Sequence, residues 1–314
     1  MKKFVLTLIL TLFTCMLWAQ ESQTEYNFLR LPVSAHAAAL GGDNITIIED
    51  DPALMFSNPA LASSVSDKTI GLSYMNYMNG ANYMGASYTK ALGEKGTIAG
   101  GVQYMNYGKI KEYDQNNTQI GTFNASEIAI EGIFSYELAH NLVGGITAKF
   151  INSYIGNYSS MAVGVDLGLN WFEPDYQWSV SLVAKNLGGQ IKAYEENYGK
   201  MPMDVQVGVS KTFAALPVRI SATFVDLTHY DYRFINHLNL GADILLSDNI
   251  WVGGGYNFRR ADEMTIGTNE DSSAHGAGFS VGGGINLERF KLNLAYGKYH
   301  AASSSVLVNL AYSF

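Results

Sequence analysis

From about residue 69 to its carboxyl end the chain alternates apolar and polar residues with a period of two. The last segment shows it most plainly: Val306, Val308, Leu310, Tyr312 and Phe314 share one face, with Ser305, Asn309, Ala311 and Ser313 on the other. Met161, Val163, Val165, Leu167, Leu169 and Trp171 stand in the same way against Ala162, Gly164, Asp166, Gly168 and Asn170. Successive side chains of a strand point to opposite faces, so this alternation predicts strands with one oily side and one small or polar side. It places them near 69–78, 81–89, 96–107, 125–136, 142–154, 159–172, 177–186, 203–213, 218–226, 236–245, 249–258, 276–287, 290–299 and 305–314. A tilted strand needs about 9 to 11 residues to cross a bilayer, whereas strands of soluble proteins average about five or six. Most of these segments have the membrane-spanning length.

The connections sort by length. The longer ones, 108–124, 187–202, 227–235 and 259–275, all follow odd-numbered strands. Even-numbered strands end in short turns such as Glu173–Tyr176, Ala214–Pro217, Leu246–Asp248 and Glu288–Arg289. Long loops on one rim and tight turns on the other mark outer-membrane barrels. The expectation is an all-β, 14-stranded antiparallel transmembrane barrel in the bacterial outer membrane, with long loops extracellular and both termini periplasmic. Aromatic residues at strand ends, such as Tyr104 and Tyr107, Tyr154 and Tyr158, Trp171 and Phe172, and Tyr256 and Phe258, suit the two interfacial girdles.

The amino-terminal region does not alternate. Lys2 and Lys3 precede an apolar run from Phe4 to Phe13, and Ala19 offers a cleavage site, which predicts a secretory signal peptide over 1–19. Leu12 stands three positions before Cys15 as in a lipoprotein signal, but Thr14 and the apolar residues after Cys15 fit that alternative poorly. Residues 20–66 read as a short helical segment and 67–314 as the barrel. Ser34 to Leu40 is an alanine-rich turn or helix closed by Gly41 and Gly42. Asp51-Pro52 and Asn58-Pro59 each put a capping side chain before a proline at the first helical position. Too small to bury a core alone, this segment is expected to plug the lumen, with a periplasmic arm as the alternative.

Composition adds limits. The formal net charge is −8, and loss of Lys2 and Lys3 with the signal makes it more negative, so nothing supplies the basic stripe that nucleic acid requires. Cys15 is the one cysteine, so a mature chain carries no disulfide. Gly278-Phe279-Ser280-Val281-Gly282 matches the nucleophile-elbow pattern, but it lies within an alternating strand rather than at a strand-to-helix turn. The six histidines show no ligand spacing, and Asp262, Glu263, Asn269, Glu270 and Asp271 lack the glycine-centred repeat of a calcium loop. No catalytic, metal or cofactor residue is expected. Glu131, Lys149, Asp166, Lys185, Arg219, Asp243 and Lys291 point inward. They either line a solute path or pair to fill the lumen, and the second is preferred.

The segments SAHAAALGG (34–42) and DDPALMFSNPALAS (50–63) resemble the start of the FadL-like outer-membrane barrel superfamily, in which a plug with an Asn-Pro-Ala element precedes fourteen strands. More closely, the chain is similar to the PorQ family of the type IX secretion system. The similarity runs through YNFLRLPVSAHAAALGG (26–42), DDPALMFSNPALASSVSDKTIGLSYMNYM (50–78), VGVDLGLNW (163–171), LVAKNLGGQIKA (182–193), GYNFRRADEM (255–264) and RFKLNLAYGKYH (289–300). The resemblance implies a non-enzymatic component that holds PorZ at the cell surface, in an attachment complex that includes PorU and PorV and links cargo to lipopolysaccharide. Loop residues Tyr113, Tyr194, Tyr198, Tyr230, Tyr232, Arg259 and Arg260 are candidates for the partner contact, since Tyr and Arg are enriched in binding hot spots. The wider superfamily implies the alternative, a transporter of hydrophobic small molecules. Tyr312 and Phe314, closing an alternating last strand, resemble the signal read by barrel-assembly machinery.

Overall fold

The computed structural model describes residues 24–78, 80–213, 216–247, 249–265, 276–300 and 303–314. The predicted signal peptide lies outside them. Fourteen antiparallel strands close on themselves, each beside its sequence neighbours, with the first paired to the last. They are β1 (Thr69–Asn76), β2 (Asn82–Leu92), β3 (Gly96–Tyr113), β4 (Gln119–Ala139), β5 (Leu142–Ile155), β6 (Tyr158–Glu173) and β7 (Trp178–Lys192). The second half comprises β8 (Asp204–Phe213), β9 (Val218–Phe224), β10 (Leu238–Ser247), β11 (Ile250–Asn257), β12 (Phe279–Asn286), β13 (Phe290–His300) and β14 (Ser303–Ser313). Closure runs from Thr69↔Ser313 to Asn76↔Val306, so no sheet edge remains along β1 or β14.

The alternation read from sequence becomes two surfaces. Leu72, Ile98, Ile130, Leu167, Ile244, Val281, Leu294 and Val306 point outward and are exposed, while Gln103, Glu131, Asp166, Asp243, Asn293 and Asn309 point inward and are buried. An apolar surface that encircles a molecule is untenable in water and matches hydrocarbon. No helix among the described residues is long and apolar enough to cross a membrane.

Three differences from the sequence expectation have physical causes. The connection 108–124 is mostly strand: β3 and β4 stay paired to Tyr113↔Gln119, turning at Asp114, whose carboxylate accepts the amides of Asn116 and Thr118. β2 leaves β3 at Asn82↔Asn106 and β5 leaves β4 at Ala125↔Ile155, so a two-stranded ribbon stands clear of the barrel wall. Both its faces meet water, and no alternation marks it. β7 likewise runs on to Lys192, past a break in its pairing with β6 between Val165 and Leu167. There Asn186 has a φ of 57° and its amide donates to Asp166. Third, Tyr107, expected in a girdle, turns inward and donates to Glu127 at 2.6 Å.

The pre-barrel segment lies inside the barrel. Its helix α1 (Ala35–Ala39) is capped by Ser34 and ends in Gly41 and Gly42, at φ 108° and 109°, which lets the Gly42 amide reach Ala37 O. Two 3₁₀ turns follow, Pro52–Phe56 and Pro59–Ser64, in which Asp51 accepts from Ala53 N at 2.9 Å and Asn58 from Ala60 N at 3.0 Å. Inward glycines make room: a Cβ on Gly145 would stand 2.3 Å from the Pro59 carbonyl carbon, and one on Gly255 2.2 Å from that of Leu40.

Within the described residues this segment runs from one rim to the other. Thr24 forms a parallel bridge with Lys200 in the long connection after β7, and Tyr26 bonds Ser160 and Gln190 near the long-loop ends of β6 and β7. The chain then descends the lumen to Ser66 and Thr69 at the turn rim. Phe314 also lies at that rim, its amide facing Lys68 O. The first described residue and the last are therefore at opposite ends.

Candidate functional site: the plugged lumen and the long-loop rim

Two charge networks hold the plug or brace the wall behind it. In the first, His36 bridges Glu49 (Nδ1 to Oε2, 2.9 Å) and Asp243 (Nε2 to Oδ1, 3.0 Å). Arg219 bridges the same two carboxylates at 2.9 Å and 2.8 Å, closing a ring of two acids and two bases. Trp251 stacks flat on the His36 imidazole, with centroids 3.5 Å apart and planes 3° from parallel. Burial works against a charge on His36, but Glu49 and Asp243 outweigh it and raise its pKa to about 9. Burial likewise opposes the Glu49 carboxylate, yet His36 and Arg219 pull it down to about 2. At neutral pH His36 therefore keeps its proton and Glu49 stays ionised. The ring ties the plug, through His36 and Glu49, to β9 and β10.

In the second network Lys149 Nζ sits 2.7 Å from Asp166, 3.0 Å from Asn186 Oδ1 and 3.9 Å from Glu131. Gln103 donates to Glu131 at 2.5 Å and accepts from Tyr83 at 2.6 Å. Lys291 pairs with Asp50 of the plug. Most of the inward charges singled out in the sequence are therefore paired, several of them with plug residues. Ser280, the centre of the elbow-like motif, donates to Ala39 O and accepts from Gly41 N, both at 3.0 Å. Its role is to clamp the end of α1. Asn309 does the same for the plug's entry, donating to Val33 O at 2.8 Å and accepting from Ala35 N.

Cavities remain at both rims. At the turn rim one of about 620 Å³ is bordered by Thr46, Glu49, Gln177, Ser210, Arg219 and Trp251, and another of about 410 Å³ by Ser64, Thr97, Glu137 and Asn170. At the long-loop rim a cavity of about 200 Å³ is bordered by Arg30, Asp43, Lys185, Asp226, Arg260 and Tyr299. Asp226 is the hub of that rim: it accepts from Arg30 at 2.7 Å and from Arg259. Burial opposes its charge, but Arg30 and Arg259 outweigh that and hold its carboxyl below the usual range.

The predicted loop residues separate into two groups. Tyr113, Tyr198 and Tyr230 stand out from the rim with 50%, 66% and 67% of their surface exposed. Tyr194 turns inward and donates to Ser153 at 2.5 Å, and Tyr232 lies under the Arg259 guanidinium, 4.4 Å from its ring centre. Arg259 is held by Asp226 and Glu263. Arg260 departs furthest from the expectation of an exposed loop residue: it is 6% exposed, in the short helix α2 (Phe258–Glu263), and points into the rim. Phe234 and Phe279, 74% and 64% exposed, are not among the loop candidates, which are Tyr and Arg residues; Phe234 directly follows the stretch 230–233. The calcium alternative rested partly on residues 269–271, outside the described residues. Among the described residues no group of three or more His, Cys, Asp or Glu is placed to hold a metal.

The class is now defined: an outer-membrane β-barrel with its lumen occupied by its own amino-terminal segment. Solved structures share that fold. The Pseudomonas putida toluene transporter TodX is 13% identical with a TM-score of 0.57, over 88% of this chain and 95% of its own. The CymD monoaromatic hydrocarbon channel is 13% identical at 0.60, over 91% and 98%. A Pseudomonas aeruginosa FadL homologue is 10% identical at 0.53, over 90% and 98%. No curated protein matches the chain by sequence. The family model of the type IX secretion system membrane protein PorP/SprF matches residues 52–306, and the chain belongs to that family.

Proposed function

We propose that the protein is a non-enzymatic barrel of the type IX secretion system that anchors a PorZ-like surface partner through its long loops, and through it engages PorU and PorV. The observation that carries this reading is the filled lumen. A plug tied to the wall by the His36 ring, by Lys291 and by Ser280 suits a rigid platform. The exposed rings of Tyr113, Tyr198, Tyr230 and Phe234 on the long-loop rim supply what a partner would grip. In this reading the long loops face the cell exterior among lipopolysaccharide, and the barrel-assembly machinery reads Tyr312 and Phe314. The resemblance of the quoted sequence stretches to PorQ supports the identity of the partner.

The test is co-purification from native outer membranes in mild detergent. Deleting the β3–β4 ribbon tip and residues 193–203, in a barrel that still migrates as folded, should abolish recovery of the surface partner. Unchanged recovery would end the proposal. A second reading, uptake of hydrophobic molecules, draws on the fold shared with TodX and CymD. It predicts uptake of such a compound that is lost when the barrel is deleted, with partner recovery unaffected by loop removal. The paired charges of the lumen weigh against it.

A further inference from the structure

Arg260 is buried, and among the described residues it has no counter-ion. Its Nε donates to Ala277 O at 2.7 Å, and its Nη2 leans on the carbonyls of Gly278 and Phe279 at 3.2 and 3.5 Å. The guanidinium lies over the Tyr299 ring, 4.7 Å from its centre. Its Nη1 and the Tyr299 hydroxyl, shut off from bulk solvent and next to each other, complete no well-formed hydrogen bond among the described residues. Arg260, Tyr299 and Gly42 all border the 200 Å³ cavity, with the Asn257 side-chain amide beside them. Carbonyl contacts and a π-face compensate a buried cation only in part, because desolvation of a full charge outweighs a few neutral hydrogen bonds.

The neighbouring acids are engaged elsewhere. Asp226 and Glu263 serve Arg30 and Arg259. Asp204 accepts from Gln206 and from the Asp226 amide, both at 2.6 Å. Asp43 has Gln206 at 3.5 Å and lies in the field of Lys185; burial pushes its carboxyl up. Lys185 borders the same cavity, and its charge acts on Asp43.

We propose that Arg260 and Tyr299 form a binding site for an oxyanion, a phosphoryl or carboxylate group of headgroup size, in the cavity at the long-loop rim. A guanidinium edge and a phenolic hydroxyl are the donors such a group requires. A space of 200 Å³ holds about six waters' share of liquid volume, room for the anionic group and not for an acyl chain.

The experiment is calorimetric titration of the detergent-solubilised full barrel with inorganic phosphate and, separately, acetate. Wild type should bind at least one of them saturably. Arg260→Gln should weaken that binding by about tenfold or more, and Tyr299→Phe by less, since a charged donor contributes more than a neutral one. Arg233→Gln, at an exposed arginine of the same rim, should change nothing. Heat-modifiable migration checks folding, and Tyr299→Phe keeps the test open if Arg260→Gln does not fold. Native mass spectrometry of protein from outer membranes identifies the source. A retained phosphorylated lipid that Arg260→Gln loses assigns the anion to a headgroup; phosphate binding without a retained lipid assigns it to the free ion. Absence of saturable binding, or binding indifferent to both substitutions, overturns the site.

Discussion

Raising the pH should loosen the plug through one side chain. The His36 pKa rises from 6.5 to about 9 because Glu49 and Asp243 flank a ring that is fully buried. A folded-state pKa above the unfolded value means that the contribution is complete below pH 6.5 and is lost as pH climbs through about 9. Each pKa unit corresponds to about 1.4 kcal/mol, so the protonated ring stabilises the seated plug by about 3 kcal/mol. The lowered Glu49 pKa describes the same contacts from the acid side: that contribution is present above pH 4.5 and is lost as pH falls toward 2. The two shifts are not additive. Trp251, stacked on the imidazole, supplies the assay, because a protonated ring quenches indole emission more than a neutral one. With Trp171 and Trp178 replaced by Phe, Trp251 is the reporter in the described chain. Its emission should rise with a midpoint near pH 9, and His36→Gln should abolish the transition. A midpoint near 6.5, or the same curve in His36→Gln, would refute the reasoning.

Other outcomes follow from the packing. Gly255→Ala drives a methyl into the Leu40 backbone and should lower stability to denaturant by about 1–3 kcal/mol, with the loss recorded as the shift from folded to unfolded migration on a gel. Lys149→Met strands Asp166 and Glu131 and should cost about 3–5 kcal/mol by the same assay, most of it recovered when both acids become amides. Removing Tyr312 to Phe314 breaks the Phe314–Lys68 contact and exposes the β1 end, so outer-membrane levels of heat-modifiable barrel should fall sharply. Cysteines placed at Thr24 and at Phe314 should label from opposite faces of the outer membrane, and labelling from one face would contradict the threaded plug.

The strands were legible because a strand's period is local. Val306, Leu310 and Tyr312 announce an outward face whatever lies across the barrel, and the register Thr69↔Ser313 preserves that face. The caps Asp51 and Asn58 were legible for the same reason, since each bonds an amide two residues on. The β3–β4 ribbon was not: with water on both sides, Lys109, Lys111 and Glu112 carry no pattern. Arg260 misled in another way. Its neighbour Arg259 does reach the rim, but α2 turns Arg260 toward Tyr299, and adjacent helical residues do not face the same way.

By itself the sequence determined the number of strands, their two faces, the sorting of loops and the small-residue lining that admits a plug. Only the closed barrel decided which charges meet, because His36 and Asp243 are 207 positions apart and come within 3.0 Å through the plug's path across the lumen. It also decided that Thr24 and Phe314 lie at opposite rims. Periodicity encodes which way a side chain points. What it points at depends on distant segments that closure brings into register.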